Sequence, residues 1–357
     1  AITHVGDFKQ LGNMGVFTVG YAVFSAVVAV SIGLFLFNVF TPGLGVNTSF
    51  AQTLSEHIKS AEPLTFHSFI MGLFPPNILE AAVKFEVMPI VIFAVVFALA
   101  CLSCGKEAAA VVNVVNHLRN VMVRMISWVI VLSPLGIFSL LGAGVAKSIQ
   151  QNQLADDFKA LGMFVVVFLL GLTLQFLWQL LVIKFIAKKA IGSYLKSSSP
   201  ALATAFGTSS SIATLPVTMN CAENVQVRPD INRFVLPLAA TINLGATVMY
   251  EASAALFFAQ VLGMNLSFSG QVVVFITSII AGMGATGIPE AGLITMVTVL
   301  RAVNIPVSAM SIILPLDRIL DRFRTVVNTW GDLCCASAVN ELVINREKKN
   351  KNAVLES

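Results

Sequence analysis

Charged residues are scarce in this sequence of 357 residues: Asp, Glu, Lys and Arg make up only 11%, whereas 57% of the residues are hydrophobic. An ordinary soluble domain has about 25% charged residues, so the scarcity excludes a typical soluble globular protein. In lipid the backbone polar groups must bond to one another, which favours helices. The composition therefore predicts an all-α integral membrane protein. The net charge of +4 is small and gives no sign of a nucleic-acid partner.

Cysteine is scarce as well, with five residues, and most of them lie in apolar runs. Cys101 and Cys104 have the CxxC spacing of some redox and zinc sites, but no second pair of ligands lies nearby. We therefore expect structural roles for the cysteines. The polar residues 1–10 lack the pattern of a cleavable signal peptide.

Long apolar stretches predict the membrane helices, since crossing a bilayer takes about 20 apolar residues. The expected units are a first helix (14–40), an extracellular loop (41–73), a pair of helices (74–148), a large second unit (158–345) and a tail (346–357).

Lysine and arginine cluster at 184–196, 228–233 and 346–351, and the positive-inside rule puts these regions and the C-terminus in the cytoplasm. Two Asn-X-Ser/Thr sequons, at Asn47 and Asn265, predict glycosylation on the opposite side. The sequence therefore predicts a multi-pass protein, which we expect in the plasma membrane.

Two apolar stretches are interrupted in the middle, and each precedes a long apolar helix. The first, 190–225, has a centre rich in serine and threonine and precedes a helix at 229–264. The second, 270–306, is broken by glycines and a proline and precedes a helix at 311–345. Paired interrupted segments in the two halves of a transporter mark a binding site near the membrane midplane. We therefore expect two re-entrant helical hairpins whose tips contact a ligand.

The last apolar helix carries polar and ionisable residues on one stripe, at offsets that return to the same helix face. These residues are Asp317, Asp321, Arg324, Asn328 and Asp332, with Thr325 beside them. A charge at the bilayer centre costs roughly 2.5–3.5 kcal/mol on insertion scales, so the stripe predicts a site for a substrate, an ion or a proton. The alternative is a set of internal salt bridges that holds the helices together.

Four motifs resemble the excitatory amino-acid (glutamate/aspartate) transporters, which are dicarboxylate/amino acid:cation symporters, and the eukaryotic branch fits best. The motifs lie at 207–218, 233–252, 287–293 and 320–332. The sequence begins at what resembles the third of the family's eight helices. The resemblance implies a transporter with two re-entrant hairpins, inverted repeats and an elevator mechanism. The first helix and 158–345 would form the moving transport domain, and 74–148 the scaffold of a homotrimer.

The resemblance also implies a role for each residue of the stripe. Asp321 would bind the substrate ammonium group, and Arg324 would hold the side-chain carboxylate of an acidic amino acid. The other implied substrate ligands are Ser209, Ser210, Ser211, Thr247, Gly287, Thr325 and Asn328. The implied sodium ligands are Asn243, Asn328 and Asp332. Glu251 would carry a proton and bear on potassium counter-transport. Sodium ions are the coupling ions, and no organic cofactor or enzymatic activity is implied.

Three positions depart from the family pattern and concern a second sodium site. The family motif Asn-Met-Asp-Gly-Thr lacks its carboxylate here, at Gly245. The resemblance places a pair of threonines at Ser25 and Ala26, so this site is expected to be degraded at both ends. We expect fewer sodium ions per cycle, or coupling by protons. Glu290 stands where the family usually has glutamine, and it is either a titratable gate residue or a solvated tip residue.

Other function classes are compatible with parts of the sequence. A neutral amino-acid exchanger of the same family would carry a small residue in place of Arg324. A substrate-gated anion channel or sensor would keep the fold without concentrating its ligand. An intramembrane protease would use Asp317, Asp321 and Asp332, but Arg324 and the paired hairpins argue against it.

Overall fold

The computed structural model describes residues 12–44, 77–83, 87–150, 154–285, 287 and 290–355, and within these ranges it contains helices and no strands. The helices of the first half are α1 (Gly12–Phe40), α2 (Ile78–Val83), α3 (Val87–Cys104), α4 (Ala109–Gln150) and α5 (Leu154–Phe185). Those of the second half are α6 (Ile191–Thr208), α7 (Ser211–Asn224), α8 (Pro229–Ile242), α9 (Gly245–Val261), α10 (Phe268–Gly284), α11 (Ala291–Ala302) and α12 (Leu314–Leu355). Short 3₁₀ helices lie at Gly105–Ala108 and Val307–Ile312. The fold is all-α, as the composition predicts.

In the part of the chain that the structure describes, four helical stretches are long and apolar enough to cross a membrane: Met14–Phe40, Ile92–Met122, Phe158–Phe185 and Pro229–Val261. Large apolar side chains are exposed on α1, α4 and α5, where a soluble protein would carry charge. Both observations are those of a multi-pass membrane protein.

The two interrupted stretches are pairs of helices, as expected. In the first, α6 and α7 are separated by Ser209 and Ser210, and Ser209 has a left-handed backbone with φ 51° that reverses the chain. In the second, α10 and α11 are separated by residues 285–290, and Glu290 has φ 62°. A positive φ is uncommon for a residue with a side chain, and at Ser209 it marks the tight turn of the first tip.

The expected helix at 229–264 is interrupted in the structure, which has α8 and α9 there. Asn243 and Leu244 interrupt it, with ψ values of 56° and 47° that lie outside the helical region. An interruption within a membrane-spanning stretch leaves backbone N–H and C=O groups without helical partners, so they must bond to other groups. The tail also differs from expectation, since α12 continues to Leu355 instead of ending near 345. The expected extracellular loop 41–73 lies almost wholly outside the described residues.

Helix α9 is the centre of the molecule, because all but one of its residues are buried. A helix that is apolar on every side packs with neighbours all round. Rings from α5 and α9 form the largest aromatic cluster at this centre, where Phe164 packs against Tyr250 and Phe257. The start of α9, beside the interruption, is therefore surrounded by protein.

Candidate functional site

The two hairpin tips meet at a single carbonyl group, that of Gly287. The Ser210 hydroxyl donates to this oxygen over 2.8 Å, and the Ile212 backbone N–H donates over 3.3 Å. Ser210 also caps α7, since its Oγ accepts from the Ala213 N–H at 3.2 Å. A Cβ at Gly287 would lie 2.6 Å from the Ala240 carbonyl oxygen, so only glycine fits this contact. The tips therefore come together against the end of α8.

A small pocket opens beside this contact. It is lined by Ser209, Ser211, Leu244, Thr247, Gly287, Ala291, Gly292, Asp321, Thr325 and Asn328. The N-termini of α7 and α11 lie at its rim, and the free N–H groups of a helix N-terminus favour an anion. Most of the expected substrate residues thus line one pocket.

Arg324 lies behind the pocket wall and is fully buried. Its Nη2 donates to Asp317 Oδ1 over 2.7 Å and to Asp321 Oδ1 over 3.0 Å. Its guanidinium carbon lies 3.9 Å above the centroid of the Tyr250 ring, within cation–π distance. The salt bridges that the sequence left as an alternative are therefore present in the structure.

The same guanidinium keeps two nitrogens free. Its Nε and Nη1 have no hydrogen-bond partner among the residues the structure describes. A Cβ at Gly292, in the pocket lining, would lie 2.9 Å from Nη1. Because Gly292 has no side chain, the unpaired Nη1 of Arg324 lies directly behind the pocket lining.

Asp321 faces the second hairpin. Its Oδ2 accepts from the backbone N–H of Glu290 at 3.1 Å, which ties the hairpin tip to α12. One turn on, the Thr325 hydroxyl donates to the Asp321 carbonyl over 2.8 Å, so it bonds within its own helix. A ligand cation at Asp321 would share this carboxylate with Arg324 and the hairpin.

Asn328 bonds to the start of α9. Its Oδ1 accepts from the Ala246 N–H at 2.9 Å, and its Nδ2 donates to Thr247 Oγ1 over 3.0 Å. Asn328 therefore accepts the hydrogen bond of a backbone N–H at the start of α9, beside the interruption. Its second bond holds the Thr247 side chain at the pocket.

Asp332 lies one turn further along α12 and is 2% exposed. Its Oδ1 accepts from Asn243 Nδ2 at 3.1 Å. Within the described ranges, no three His, Cys, Asp or Glu side chains are close enough to form a metal site. A cation at Asp332 would therefore need amide and backbone oxygens as its other ligands, and these are ligands that hard cations accept.

Glu251 is buried on α9, away from the pocket lining. Its Oε1 accepts from the Thr295 hydroxyl of α11, while its Oε2 is unpaired in the described structure. The carboxyl group thus connects the central helix to the second hairpin.

Gly245 faces Ser25, as the expected degraded sodium site requires, but Ala26 is not among its nearest contacts. A Cβ at Gly245 would lie 3.3 Å from Ser25 Oγ and 3.1 Å from Gln175 Nε2. Gln175 Nε2 also donates to Ser25 Oγ over 3.3 Å. An uncharged glutamine side chain therefore borders the place where the family motif has a carboxylate.

The sequence analysis missed Gln175, Gln179 and Tyr250. Both glutamines belong to α5 and are buried, and Tyr250 lies under the Arg324 guanidinium. Two glutamines four residues apart in an otherwise apolar helix were a signal for a polar contact. Of the two sequons, Asn265 is exposed in the loop between α9 and α10, and Asn47 lies outside the described residues.

The sequence is similar to known proteins over most of its length. Residues 1–342 match the family described as "Sodium:dicarboxylate symporter family". The chain is 33% identical over 377 residues to an "Excitatory amino acid transporter" of Caenorhabditis elegans, with 93% of this chain and 74% of the relative covered. It is 38% identical over 300 residues to "Excitatory amino acid transporter 3" of Mus musculus, covering 84% and 55%. It is 29% identical over 375 residues to "Neutral amino acid transporter B(0)" of Bos taurus, covering 96% and 69%.

Proposed function

The chain belongs to the sodium:dicarboxylate symporter family, and from this premise we propose that it moves an acidic amino acid, L-aspartate or L-glutamate, across the membrane against its gradient. Membership makes the chain a membrane transporter and not an enzyme. The choice of an acidic substrate rests on Arg324, whose Nε and Nη1 have no partner among the described residues and whose Nη1 lies directly behind Gly292.

The charged cluster can hold both ends of an amino acid. A guanidinium presents its N–H groups in a planar fork that suits the two oxygens of a side-chain carboxylate. Asp321 is the carboxylate nearest to the pocket and would take the ammonium group. Two aspartates share one arginine, so Asp321 is free to pair with an ammonium group, and the side-chain carboxylate of the ligand would share Arg324 with Asp317.

The hairpin tips would hold the α-carboxylate. Ser209 and Ser211 line the pocket at the start of α7, and helix N-termini offer free N–H groups to an anion. Ser210 would act indirectly, because its hydroxyl is used by Gly287 and Ala213. Asn328 would join by exchanging its bond to Thr247 for one to the substrate.

Sodium would bind at Asp332, with Asn243, Asn328 and backbone oxygens of the α8–α9 interruption. The contact between Asp332 and Asn243 supports this placement. The second sodium site would be degraded, as the environment of Gly245 and Ser25 suggests, so fewer sodium ions would accompany each substrate. Glu251 would carry a proton and respond to potassium.

Transport would proceed by an elevator motion. The first helix and 158–345 would move as one body past a scaffold formed by 74–148 in a homotrimer. Helix α9 packs closely on α1, where a Cβ at Gly33 would lie 2.8 Å from Ser253 Oγ. This close packing supports α1 as part of the moving body. We place the protein in the plasma membrane with its C-terminus in the cytoplasm and Asn265 outside, where it would be glycosylated with Asn47.

A neutral amino-acid transporter is the second candidate. One relative carries that name, and Arg324 is already paired with two aspartates, so a neutral zwitterion would add no net charge to the cluster. The free nitrogens of Arg324 favour the acidic substrate, because a neutral side chain would leave them without a partner.

The deciding experiment measures uptake of labelled L-aspartate and L-serine into proteoliposomes. Three conditions are compared: an inward sodium gradient, an inward proton gradient without sodium, and no gradient. We expect aspartate to accumulate with sodium and serine not to compete. Accumulation with protons alone would contradict sodium coupling, preferred uptake of serine would contradict the acidic substrate, and equilibration without accumulation would indicate a channel or sensor.

A further inference from the structure

Two glutamines on α5, Gln175 and Gln179, are buried on the same face of a membrane-spanning helix. They are 0% and 2% exposed and lie one helical turn apart. Polar side chains inside a membrane helix are costly and are normally found where they contact another polar group or line a site. Neither residue belongs to the pocket lining or to the proposed substrate ligands. The two glutamines therefore need another explanation.

Gln179 lies at the Asn243–Asp332 pair. Residue 331 is glycine, and a Cβ there would lie 2.8 Å from Gln179 Nε2 and 3.1 Å from Asn243 Nδ2. The two amide groups thus approach the same point of α12, one residue before Asp332. Because Asn243 Nδ2 is also bonded to Asp332 Oδ1, the three side chains form one polar cluster contributed by α5, the α8–α9 interruption and α12.

This cluster has unused oxygens. Gln179 Oε1 and Asn243 Oδ1 are both buried and find no hydrogen-bond partner in the described part of the chain. Buried polar atoms in proteins are nearly always paired, so two unpaired carbonyl oxygens beside a carboxylate indicate a bound species that accepts them. Rotation about the last side-chain bond exchanges the oxygen and nitrogen of a carboxamide, so either amide can turn its oxygen toward Asp332 without moving a helix.

Gln175 has a different environment. Its Nε2 donates to Ser25 on α1 and lies 3.1 Å from a Cβ built on Gly245 of α9, whereas Gln179 faces Gly331 of α12. Its Oε1 is unpaired, like that of Gln179, but the carboxylate cluster lies around the other glutamine. Gln175 is therefore a matched control, with the same side chain, helix and burial.

We propose that Gln179 is a ligand of the coupling cation and supplies a neutral carboxamide oxygen from α5 to the cation bound at Asp332 and Asn243. This inference rests on the proposed sodium site at Asp332. Carboxylate and amide oxygens are the ligands that hard cations such as sodium select. A ligand on α5 also links cation binding to a helix that the substrate does not contact.

The test measures sodium binding without transport. The purified full chain in detergent is titrated with sodium chloride, without substrate, against choline chloride at constant ionic strength, and the thermal unfolding midpoint is recorded. In Gln179→Met, which keeps the length of the side chain and removes its amide, we expect the sodium concentration for half-maximal stabilisation to rise about 10- to 100-fold, the usual effect of disturbing a metal site. Gln175→Met should stay within about twofold of wild type, since it lies outside the cluster.

A second readout separates a ligand from a packing residue. Aspartate binding at saturating sodium should be the same in Gln179→Met and wild type, because the cation site is then filled in both. The selectivity for sodium over lithium should change in Gln179→Met and not in Gln175→Met. If Gln179→Met does not accumulate in the membrane, Gln179→Asn keeps the amide but withdraws it by one methylene, and it should weaken sodium binding in the same direction.

The outcomes distinguish this inference from the proposed function. If sodium does not stabilise the wild-type chain, or if it still stabilises Asp332→Asn, the proposed sodium site at Asp332 is wrong. The proposed role of Gln179 is then wrong as well. If Asp332→Asn abolishes the sodium effect while both glutamine variants match wild type or shift equally, the site at Asp332 stands. Gln179 is then only a partner of internal water or of packing atoms, and the inference is overturned.

Discussion

The buried face of α12 has two ends with different chemistry. The first end contains Asp317, Asp321 and Arg324, three full charges that pair with one another. The second end contains Asn328 and Asp332, where a single carboxylate is surrounded by carboxamides. Both ends are buried among helices, so exposure to water does not explain why the two ends differ in charge.

The difference shows how each end can accept a charged ligand. At the first end two aspartates share one arginine, and a zwitterion would enter by exchanging ion pairs. At the second end neutral amide oxygens remain unpaired, and a small cation can use them directly. We therefore expect the organic substrate at the end with three charged residues and the inorganic cation at the end with one carboxylate.

The strongest test of the first end is Arg324→Cys. Losing the two charge-assisted hydrogen bonds to the substrate carboxylate should weaken aspartate binding about 100-fold or more, since each factor of ten corresponds to about 1.4 kcal/mol. Competition by neutral amino acids should appear instead. The measurement is competition uptake in proteoliposomes, with Arg322→Cys as a control on the same helix. Unchanged aspartate affinity would contradict the acidic-substrate proposal.

A smaller effect is expected from Asp317→Asn, which removes the closer ionic partner of Arg324. Arg324 would then pair more strongly with Asp321, the proposed ligand of the substrate ammonium group. Aspartate affinity should fall by about tenfold, the scale of one charged hydrogen bond. Binding assays at saturating sodium measure this change. If the sodium requirement changed instead of the aspartate affinity, the two ends would not be separate.

The second end is tested by Gly331→Ala. The added Cβ would lie 2.8 Å from Gln179 Nε2 and would push the two amides apart. Overpacking costs about 1–3 kcal/mol, so sodium affinity should fall about fivefold or more while aspartate affinity at saturating sodium is retained. The control is Gly192→Ala, where a Cβ meets no atom within 4 Å. An equal loss of both affinities would indicate general disruption of α12.

The smallest effect on maximal rate is expected from Glu251→Gln, which lies outside both ends of the buried face. If this carboxyl group carries a proton, uptake should lose its pH dependence in the variant, because glutamine does not titrate. The hydrogen bond from Thr295 can still be accepted by the amide oxygen, so folding should be preserved. Initial rates between pH 5.5 and about 8.5 provide the profile. An unchanged profile would remove Glu251 from proton coupling.

Much of the fold could be predicted from local patterns. The apolar lengths predicted the membrane helices, and the serine-rich and glycine-rich interruptions predicted both hairpins, because clusters of such residues favour a turn over a continuous helix. The stripe on α12 was visible from its spacing alone. The interruption at Asn243–Leu244 was missed, because a single asparagine in an apolar stretch does not by itself predict a break, and the contacts from Asn328 and Asp332 that stabilise it are distant in the sequence.

The sequence by itself determined that the chain is a helical membrane protein with two hairpins and a charged last helix, because composition and periodicity act over a few turns. Only the tertiary structure decided which charges pair, which donors of Arg324 stay free, and that Gln179 on α5 and Asn243 both approach Gly331 on α12, next to Asp332. The ion pairs of Arg324 lie within one helix, whereas the contacts around Gly331 join helices that are distant in the sequence. Their energies depend on distance and burial, which no local pattern encodes.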